Sequence, residues 1–267
     1  MSGRNVLPGT VAVVTGGGRG IGAGIARALA SAGATVVVTA RTASELNRTA
    51  DAVRATGGVA LPVVADLTDP DSVDAMVAAT LDEFGAIDVL VNAAGRMSPI
   101  GVPLWESDPH DWTLTLRTDV ELVFLTCRAV VPVMLQQGQG KIFNLTSPAS
   151  STPVPEASAY CASKAATEHL SAVLAAELAG TGVTSNSINI GATDTPVFRE
   201  VIATLYPHLP HDWVDRWGRD PVEAAAMVVY LCTRAGDGVN GQSLQWSDGW
   251  IRRGVQLLSR DGAGRST

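Results

Sequence analysis

The chain is poor in sulfur, in aromatic rings and in charge. Three cysteines, Cys127, Cys161 and Cys232, stand in 267 residues without CxxC or paired spacing, which excludes a disulfide scaffold and a thiolate metal cluster. Cys161 adjoins Tyr160 but reads as a helix residue and not as a nucleophile. An odd number of thiols without a secretion signal points to a reducing compartment, so a cytoplasmic location is expected. Four histidines are scattered. His208 and His211 are three apart, yet Pro207 and Pro210 break any helix that would align them, and no metal site is expected. No apolar run is long enough to cross a bilayer, and the first eight residues lack the apolar stretch of a secretory leader. Charged residues make up only 17%, and a net charge of −7 argues against a nucleic-acid partner. A hydrophobic content of 46% in a chain of this length describes a globular protein with one large core.

What is present is a regular alternation of apolar, β-branched runs with helical patterns. Strands are predicted over 10–15, 35–41, 60–66, 88–92, 141–146, 184–190 and 243–246. Helices are predicted over 21–32, 43–56, 71–84, 112–136, 159–179 and 222–233. Strand–helix alternation implies a parallel sheet with helices on both faces. Runs such as Val36-Val37-Val38 suit strands buried on both sides. The expected class is α/β: one domain over 1–267, a doubly wound (Rossmann-type) parallel sheet of about seven strands. Gly33 and Gly57-Gly58 read as helix stops. Asp69-Pro70 and Asp220-Pro221 read as helix starts, with Asp as cap and Pro in the first turn. The stretch 196–219 breaks the alternation with Phe198, Tyr206, Trp213, Trp217 and three prolines. The Gly-, Arg- and Ser-rich tail, 257–267, is expected to be mobile.

Two motifs carry chemistry. The first is Tyr160-Cys161-Ala162-Ser163-Lys164, with Ser147 upstream. Tyr and Lys four apart on a helix share one face, which sets an ammonium beside a phenol. A free phenol, with a pKa of about 10, is a poor base near neutrality. A neighbouring cation favours the phenolate. With a Ser hydroxyl to hold a carbonyl oxygen, the trio is a proton donor and acceptor for a ketone/alcohol pair. The second motif is Thr15-Gly16-Gly17-Gly18-Arg19-Gly20-Ile21-Gly22, set between Val11-Ala12-Val13-Val14 and a helical pattern starting near Ile25. Strand, glycine loop and helix form a phosphate cradle: glycines admit the backbone to a pyrophosphate, and the helix N-terminus offers unpaired N–H groups.

Thr15 to Gly22, Asn92-Ala93-Ala94-Gly95, Ser147 and Tyr160-x-x-x-Lys164, with their spacing, resemble the short-chain dehydrogenase/reductase family over about residues 11–249. The resemblance implies hydride transfer between a nicotinamide and a carbonyl carbon. It makes Tyr160 the proton donor and acceptor, Ser147 the group that orients the oxygen, and Lys164 the partner of Tyr160 and of the nicotinamide ribose. Gly16, Gly18, Arg19, Gly20, Ile21 and Gly22 would meet the nucleotide phosphates. Asp66 and Leu67 would meet the adenine, and Asn92, Ala93, Ala94 and Gly95 would lie along its ribose. Gly191, Thr193 and Thr195 would line the nicotinamide end. No acid occurs from Thr35 to Ser44, where an NAD enzyme carries one to bind the ribose hydroxyls. Arg41 stands there instead, and with Arg19 and Thr42 it suits a 2′-phosphate. Two cations without a competing carboxylate favour NADP(H) over NAD(H). The family also covers its substrate with a lid, the place taken here by 196–219. The alternative is a surface helix pair against a partner subunit.

Two departures stand out. The family has an Asn in the helix predicted over 112–136, where this chain has Asp119 and no Asn at all. An ionised Asp119 cannot donate a hydrogen bond and opposes the effect of Lys164 on Tyr160, so an altered proton relay is expected. Ile190-Gly191 stands where Pro-Gly is usual, and a looser turn under the nicotinamide is expected. Candidate substrate residues are Arg96 and Met97, Pro148 and Ala149, Val154 and Pro155, then Phe198, Trp213 and Trp217. Apolar and aromatic with one cation, they suit a hydrophobic, cyclic or polyketide-like ketone better than a small charged acid. A homotetramer or homodimer is implied by the resemblance, through the helices over 112–136 and 159–179 with Leu170, Val173 and Leu174, and through 242–249. Two further classes stay open: a non-redox epimerase or dehydratase with a retained cofactor, and a nucleotide-sensing protein, which would not need Ser147, Tyr160 and Lys164.

Overall fold

Seven apolar runs can satisfy their backbones only against one another. The computed structural model, which describes residues 5–260, pairs them into one parallel sheet. Its strands are β1 (Val11–Thr15), β2 (Thr35–Ala40), β3 (Ala60–Val64), β4 (Val89–Asn92), β5 (Gly140–Leu145), β6 (Val183–Asn189) and β7 (Ser243–Gln245). Their order is β3-β2-β1-β4-β5-β6-β7. In register, Val13 lies opposite Val37 on one side and Leu90 on the other, and Leu90 faces Ile142. Alternation along β1 sends Ala12 and Val14 into one core and Val13 into the other. Ile25, Leu29, Leu46 and Met227 fill the first core; Met76, Leu90, Met134 and Ile142 fill the second. The sheet winds outward in both directions from β1 and β4, which leaves a crevice at the C-terminal strand ends.

The helices are α1 (Gly20–Ser31), α2 (Ala43–Arg54), α3 (Pro70–Phe84), α4 (Pro109–Leu116), α5 (Leu122–Gln137), α6 (Ser158–Glu177), α7 (Pro196–Leu205), α8 (Trp213–Trp217), α9 (Pro221–Ala224), α10 (Ala226–Cys232) and α11 (Gly249–Arg260). The expected starts of α3 and α9 hold: Asp69 accepts from the Asp71 amide at 3.3 Å and Asp220 from the Val222 amide at 2.8 Å. Gly33 and Gly57, both at positive φ, follow α1 and α2. Among the described residues no helix is long and apolar enough to cross a membrane.

Two expectations need correction. The helix over 112–136 is two helices joined by a π-helical turn, Arg117–Glu121, and α4 begins earlier, at Pro109. Asp108 caps that start by accepting from the amides of His110 and Asp111. A π turn inserts a residue into an otherwise unbroken apolar pattern, so periodicity does not reveal it. The helix over 222–233 is interrupted at Ala225. Of the tail expected to be mobile, 257–267, the first residues belong to α11, which runs through Arg260, and residues 261–267 lie outside the described residues. The stretch 196–219 contains α7 and α8.

A buried polar chain ties the sheet to the helices that carry the site. Asn92 at the end of β4 donates to Asn144 on β5 at 2.8 Å and accepts from Thr126 on α5 at 2.9 Å. Asn144 donates to Ser171 on α6 at 2.8 Å. Ser171 donates to the carbonyl of Thr167, and Thr167 to that of Ser163. Asn144→Ala leaves the Asn92 amide and the Ser171 hydroxyl short of partners. It should lower stability by about 1–3 kcal/mol in urea unfolding, and an unchanged midpoint would mean that water replaces the side chain.

Candidate active site

Thr15 closes the base of the crevice. Its Oγ1 accepts from the amides of Ala93 and Ala94, both at 3.0 Å, drawing the segment after β4 against the glycine loop. Gly16 has φ +65°, and a Cβ there would fall 2.8 Å from the Ala94 Cα, so only glycine fits. Arg19 caps α1 in an extended conformation with no side-chain hydrogen bond and no acid in the first turn. Among the described residues the amides of Gly20, Ile21 and Gly22 have no protein acceptor. Open donors at a helix N-terminus carry partial positive charge and fit a nucleotide pyrophosphate.

Arg19 and Arg41 are exposed and, among the described residues, form no ion pair. Thr42 caps α2 without using its hydroxyl. Hydrogen bonds from the Thr68 backbone and side chain hold the Asp66 carboxyl below the usual carboxylate range, with Arg41 and Arg117 adding to the effect. Leu67 is buried in the second core, so its side chain faces away from the crevice. The Asn92 side chain is spent on Asn144 and Thr126. The expected freedom from a competing carboxylate fails one residue past the stretch that lacked acids. Glu45, in the first turn of α2, rests on Gly18: a Cβ on Gly18 would lie 2.9 Å from the Glu45 Cβ and 3.5 Å from its Oε2.

Ser147, Tyr160 and Lys164 come from neighbouring elements at the same edge. Ser147 follows β5, and its Oγ accepts from the Ala149 amide at 3.3 Å. Tyr160 and Lys164 share a face of α6, with Nζ 5.4 Å from the phenol ring centroid. Lys164 is buried, and its Nζ also lies 3.5 Å from the Leu145 carbonyl. The π turn places Asp119 directly beneath this pair. Its side chain is wholly buried, and its Oδ2 meets Lys164 Nζ at 3.1 Å. The same oxygen accepts from Ser163 Oγ at 2.9 Å, while Oδ1 accepts from the Arg96 amide at 2.6 Å. Burial works against the Lys164 ammonium, but attraction to Asp119 and Tyr160 and the hydrogen bond to Asp119 outweigh it, raising its pKa above the ordinary value. Burial pushes the Cys127 and Cys232 thiols up to about 12, which leaves them inert.

Around this centre the candidate substrate residues separate. Phe198 and Trp213 pack together with ring centroids 6.3 Å apart. Ala149 is buried, Met97 half-buried, and Pro155 exposed. Trp217 is 65% exposed and stands apart. Arg96 is no free cation: its Nη2 is paired with Asp111 at 2.9 Å and contacts Ser98 Oγ at 3.3 Å. The turn after β6 is also firmer than expected. Thr193 Oγ1 donates to the Gly191 carbonyl at 3.0 Å, and Thr195 caps α7 by accepting from the Phe198 amide at 3.1 Å. Arg219 pairs with this turn along the backbone: its amide donates to Ala192 at 3.1 Å, and its carbonyl accepts from Asp194 at 2.8 Å. Arg199 on α7 then joins Asp194 of the turn to Asp215 of α8, at 2.7 and 2.6 Å. Glu45, Asp111, Ser163, Arg199 and Arg219 escaped the sequence expectations. Only Ser163 carried a signal, by lying inside the Tyr–Lys motif.

Comparisons with known proteins agree with this arrangement. A family model described as short chain dehydrogenase matches residues 10–205. Gluconate 5-dehydrogenase of Gluconobacter oxydans is 34% identical over 249 residues, 91% of this chain and 95% of that protein. A 3-oxoacyl-(acyl-carrier-protein) reductase of Synechocystis sp. is 35% identical over 247 residues, 92% of this chain and 98% of that protein. Among solved structures, an actinorhodin polyketide ketoreductase variant with NADPH superposes with a TM-score of 0.83 at 32% identity, covering 90% of this chain and 96% of the other.

All three groups facing Asp119 donate, so an amide there must turn its NH2 toward a donor. Asp119→Asn should cost about 3 kcal/mol of stability at neutral pH, as a buried pair losing one charge does. Because the folded Lys164 pKa is raised, the stability from this pair is complete below about pH 10.5, its ordinary value, and is lost as pH rises through the folded value. The variant should therefore lose less stability than the parent across that alkaline window, and parallel curves would show that the pair contributes nothing.

Proposed function

The chain belongs to the short-chain dehydrogenase/reductase family, whose members use nicotinamide cofactors, and within it we propose an NADP(H)-dependent oxidoreductase interconverting a hydrophobic, cyclic ketone and its secondary alcohol. The observation that carries the reading is Lys164 Nζ standing 5.4 Å from the Tyr160 ring centroid, at the strand ends that also present the start of α1, which no side chain caps.

The nicotinamide, when bound, supplies or receives the hydride. The protein's part is binding and proton transfer. The amides at Gly20, Ile21 and Gly22 hold the pyrophosphate, with Gly16 and Gly18 admitting it closely. Ala93, Ala94 and Gly95 lie along the adenine ribose. Gly191, Thr193 and Thr195 flank the nicotinamide, and Asp66 meets the adenine. Arg41, with Arg19 and Thr42, holds the 2′-phosphate. Glu45 on the far side of Gly18 weakens that preference by its charge. Tyr160 passes a proton to the carbonyl oxygen in reduction and recovers it in oxidation. Ser147 holds the same oxygen, and Lys164 sets its ammonium beside the Tyr160 ring. Asp119 shares the Lys164 charge through its 3.1 Å contact and helps to hold the Lys164 pKa above its ordinary value. The pH–rate profile of Asp119→Asn should therefore be displaced from that of the parent; coincident profiles would remove Asp119 from the relay.

An apolar substrate is supported by the Phe198–Trp213 pair and by the loss of the Arg96 charge to Asp111. Residues 196–219, held to the turn through Arg199, serve as the lid. Phe124 on α5 and Val173 on α6 are 52% and 42% exposed, which supports burial of these faces in a homotetramer or homodimer. Three free thiols support a cytoplasmic setting.

Titration with NADPH and NADH, then a panel of ketones, tests the proposal. NADPH should bind more tightly than NADH. Arg41→Ala should weaken NADPH alone by about ten-fold or more, and Glu45→Gln should tighten it. Tyr160→Phe should retain nucleotide binding and lose about 10²–10⁴ in turnover. Binding without turnover of any ketone or alcohol would move the protein to the non-redox or sensing classes.

A further inference from the structure

The turn from Ile190 to Thr195 lacks the proline that the family resemblance leads one to expect, yet it is held from several sides. The holding residue is Arg219, which lies 29 residues after Ile190, between α8 and α9. Its backbone pairs with the turn in parallel, opposite Thr193. Its side chain then folds back under the same turn, and Nη2 donates to the Ile190 carbonyl. Gly191, at φ +79°, lies directly over the guanidinium: a Cβ there would fall 2.5 Å from Nη2 and 3.9 Å from the Trp246 Cβ. The guanidinium carbon stands 4.2 Å from the Trp246 ring centroid, just past β7. Nη1 is buried with no hydrogen-bond partner. Burial lowers the Arg219 pKa, and Arg252 nearby adds to that against Glu223.

We propose that Arg219 is a positioning residue that fixes the Ile190–Thr195 turn, replacing by a stacked guanidinium the rigidity that a proline ring would give. A planar guanidinium can lie on an indole with its face while donating along its edge. An ammonium lacks the plane, so lysine keeps the charge and loses the geometry. The Ile190 amide has no hydrogen-bond partner among the described residues, so proline at 190 removes no bond. Asn189 before it ends β6 and already has the extended backbone that a following proline requires. The two devices are therefore exchangeable at this turn. In this chain the clamp joins two distant segments, whereas a proline would act locally. The proposal rests on the assignment of this turn to the nicotinamide.

The test compares the parent with Arg219→Met, Arg219→Lys and the double variant Ile190→Pro/Arg219→Met. NADPH affinity and turnover are read together with amide hydrogen exchange of 190–195 in the nucleotide-free protein. Arg219→Met should weaken NADPH by about ten-fold, as one charge-assisted hydrogen bond does, and should speed exchange at Gly191 and Asp194, whose amides donate to Asn189 Oδ1 and to the Arg219 carbonyl. Arg219→Lys should match Arg219→Met. The double variant should recover most of both losses. Equal defects in the single and double variants, or full function with lysine, would overturn the clamp, since charge or some other role of Arg219 would then matter. Should Arg219→Met fail to fold, recovery of a folded protein in the double variant supports the exchange, and failure of both overturns it. If the parent binds no nicotinamide nucleotide, the functional assignment fails, while the exchange rates still decide whether Arg219 holds the turn.

Discussion

One buried carboxylate organises the reactive edge of this protein. The Asp119 side chain has no contact with solvent, and three donors converge on it from two separate stretches of chain: the Arg96 amide after β4, and Ser163 Oγ and Lys164 Nζ on α6. A charge in such a place is costly unless its partners are complete. Here they are, and the cost of leaving any of them unmet is what fixes the geometry. Gly95 passes over the pair with room for a Cβ only at 3.3 Å from both Asp119 Oδ1 and Lys164 Nζ. The position of the Tyr160–Lys164 face relative to the segment after β4 is therefore set by electrostatics inside the protein, before any ligand binds.

The rest of the fold brings these stretches within reach. Seven parallel strands end on one side, and the hydrogen-bond chain through Asn92, Asn144 and Ser171 locks β4, β5 and α6 in register. Thr15 adds a second lock, between the glycine loop and the segment after β4. The crevice thus has open amides at the start of α1 and the Tyr–Lys face on α6.

Much of this was legible in the sequence. Each strand run, the glycine loop between β1 and α1, and the Tyr160–Lys164 spacing are local patterns, and local patterns survive folding. The caps at Asp69 and Asp220 are short-range in the same way. What stayed hidden depends on a local irregularity or on contacts between distant residues. The π turn at Arg117–Glu121 leaves the apolar pattern unbroken, yet it decides where Asp119 points. The pairing of Arg96 with Asp111 turned a candidate ligand-binding cation into a structural one. Glu45 lies 27 residues beyond Gly18 and meets it only because α2 packs across the loop. Ile190 marked the missing proline, but nothing at that point of the chain named Arg219 as its substitute. In α11, the exposed Arg252 and Arg253 obscured the apolar side formed by Ile251 and Val255.

The stacking of Arg219 on Trp246 has a spectroscopic side. Indole emission responds to a charge held against the ring, and Trp246 sits half-buried beside the first core with that charge fixed 4.2 Å from its centroid. Trp105, 84% exposed, sits in an opposite environment, open to collisional quenchers such as iodide. Loss of the Arg219 guanidinium should therefore change the emission of Trp246, and quenching of the exposed Trp105 leaves that change in the half-buried indoles, which the single change Trp246→Phe would assign to the turn after β6.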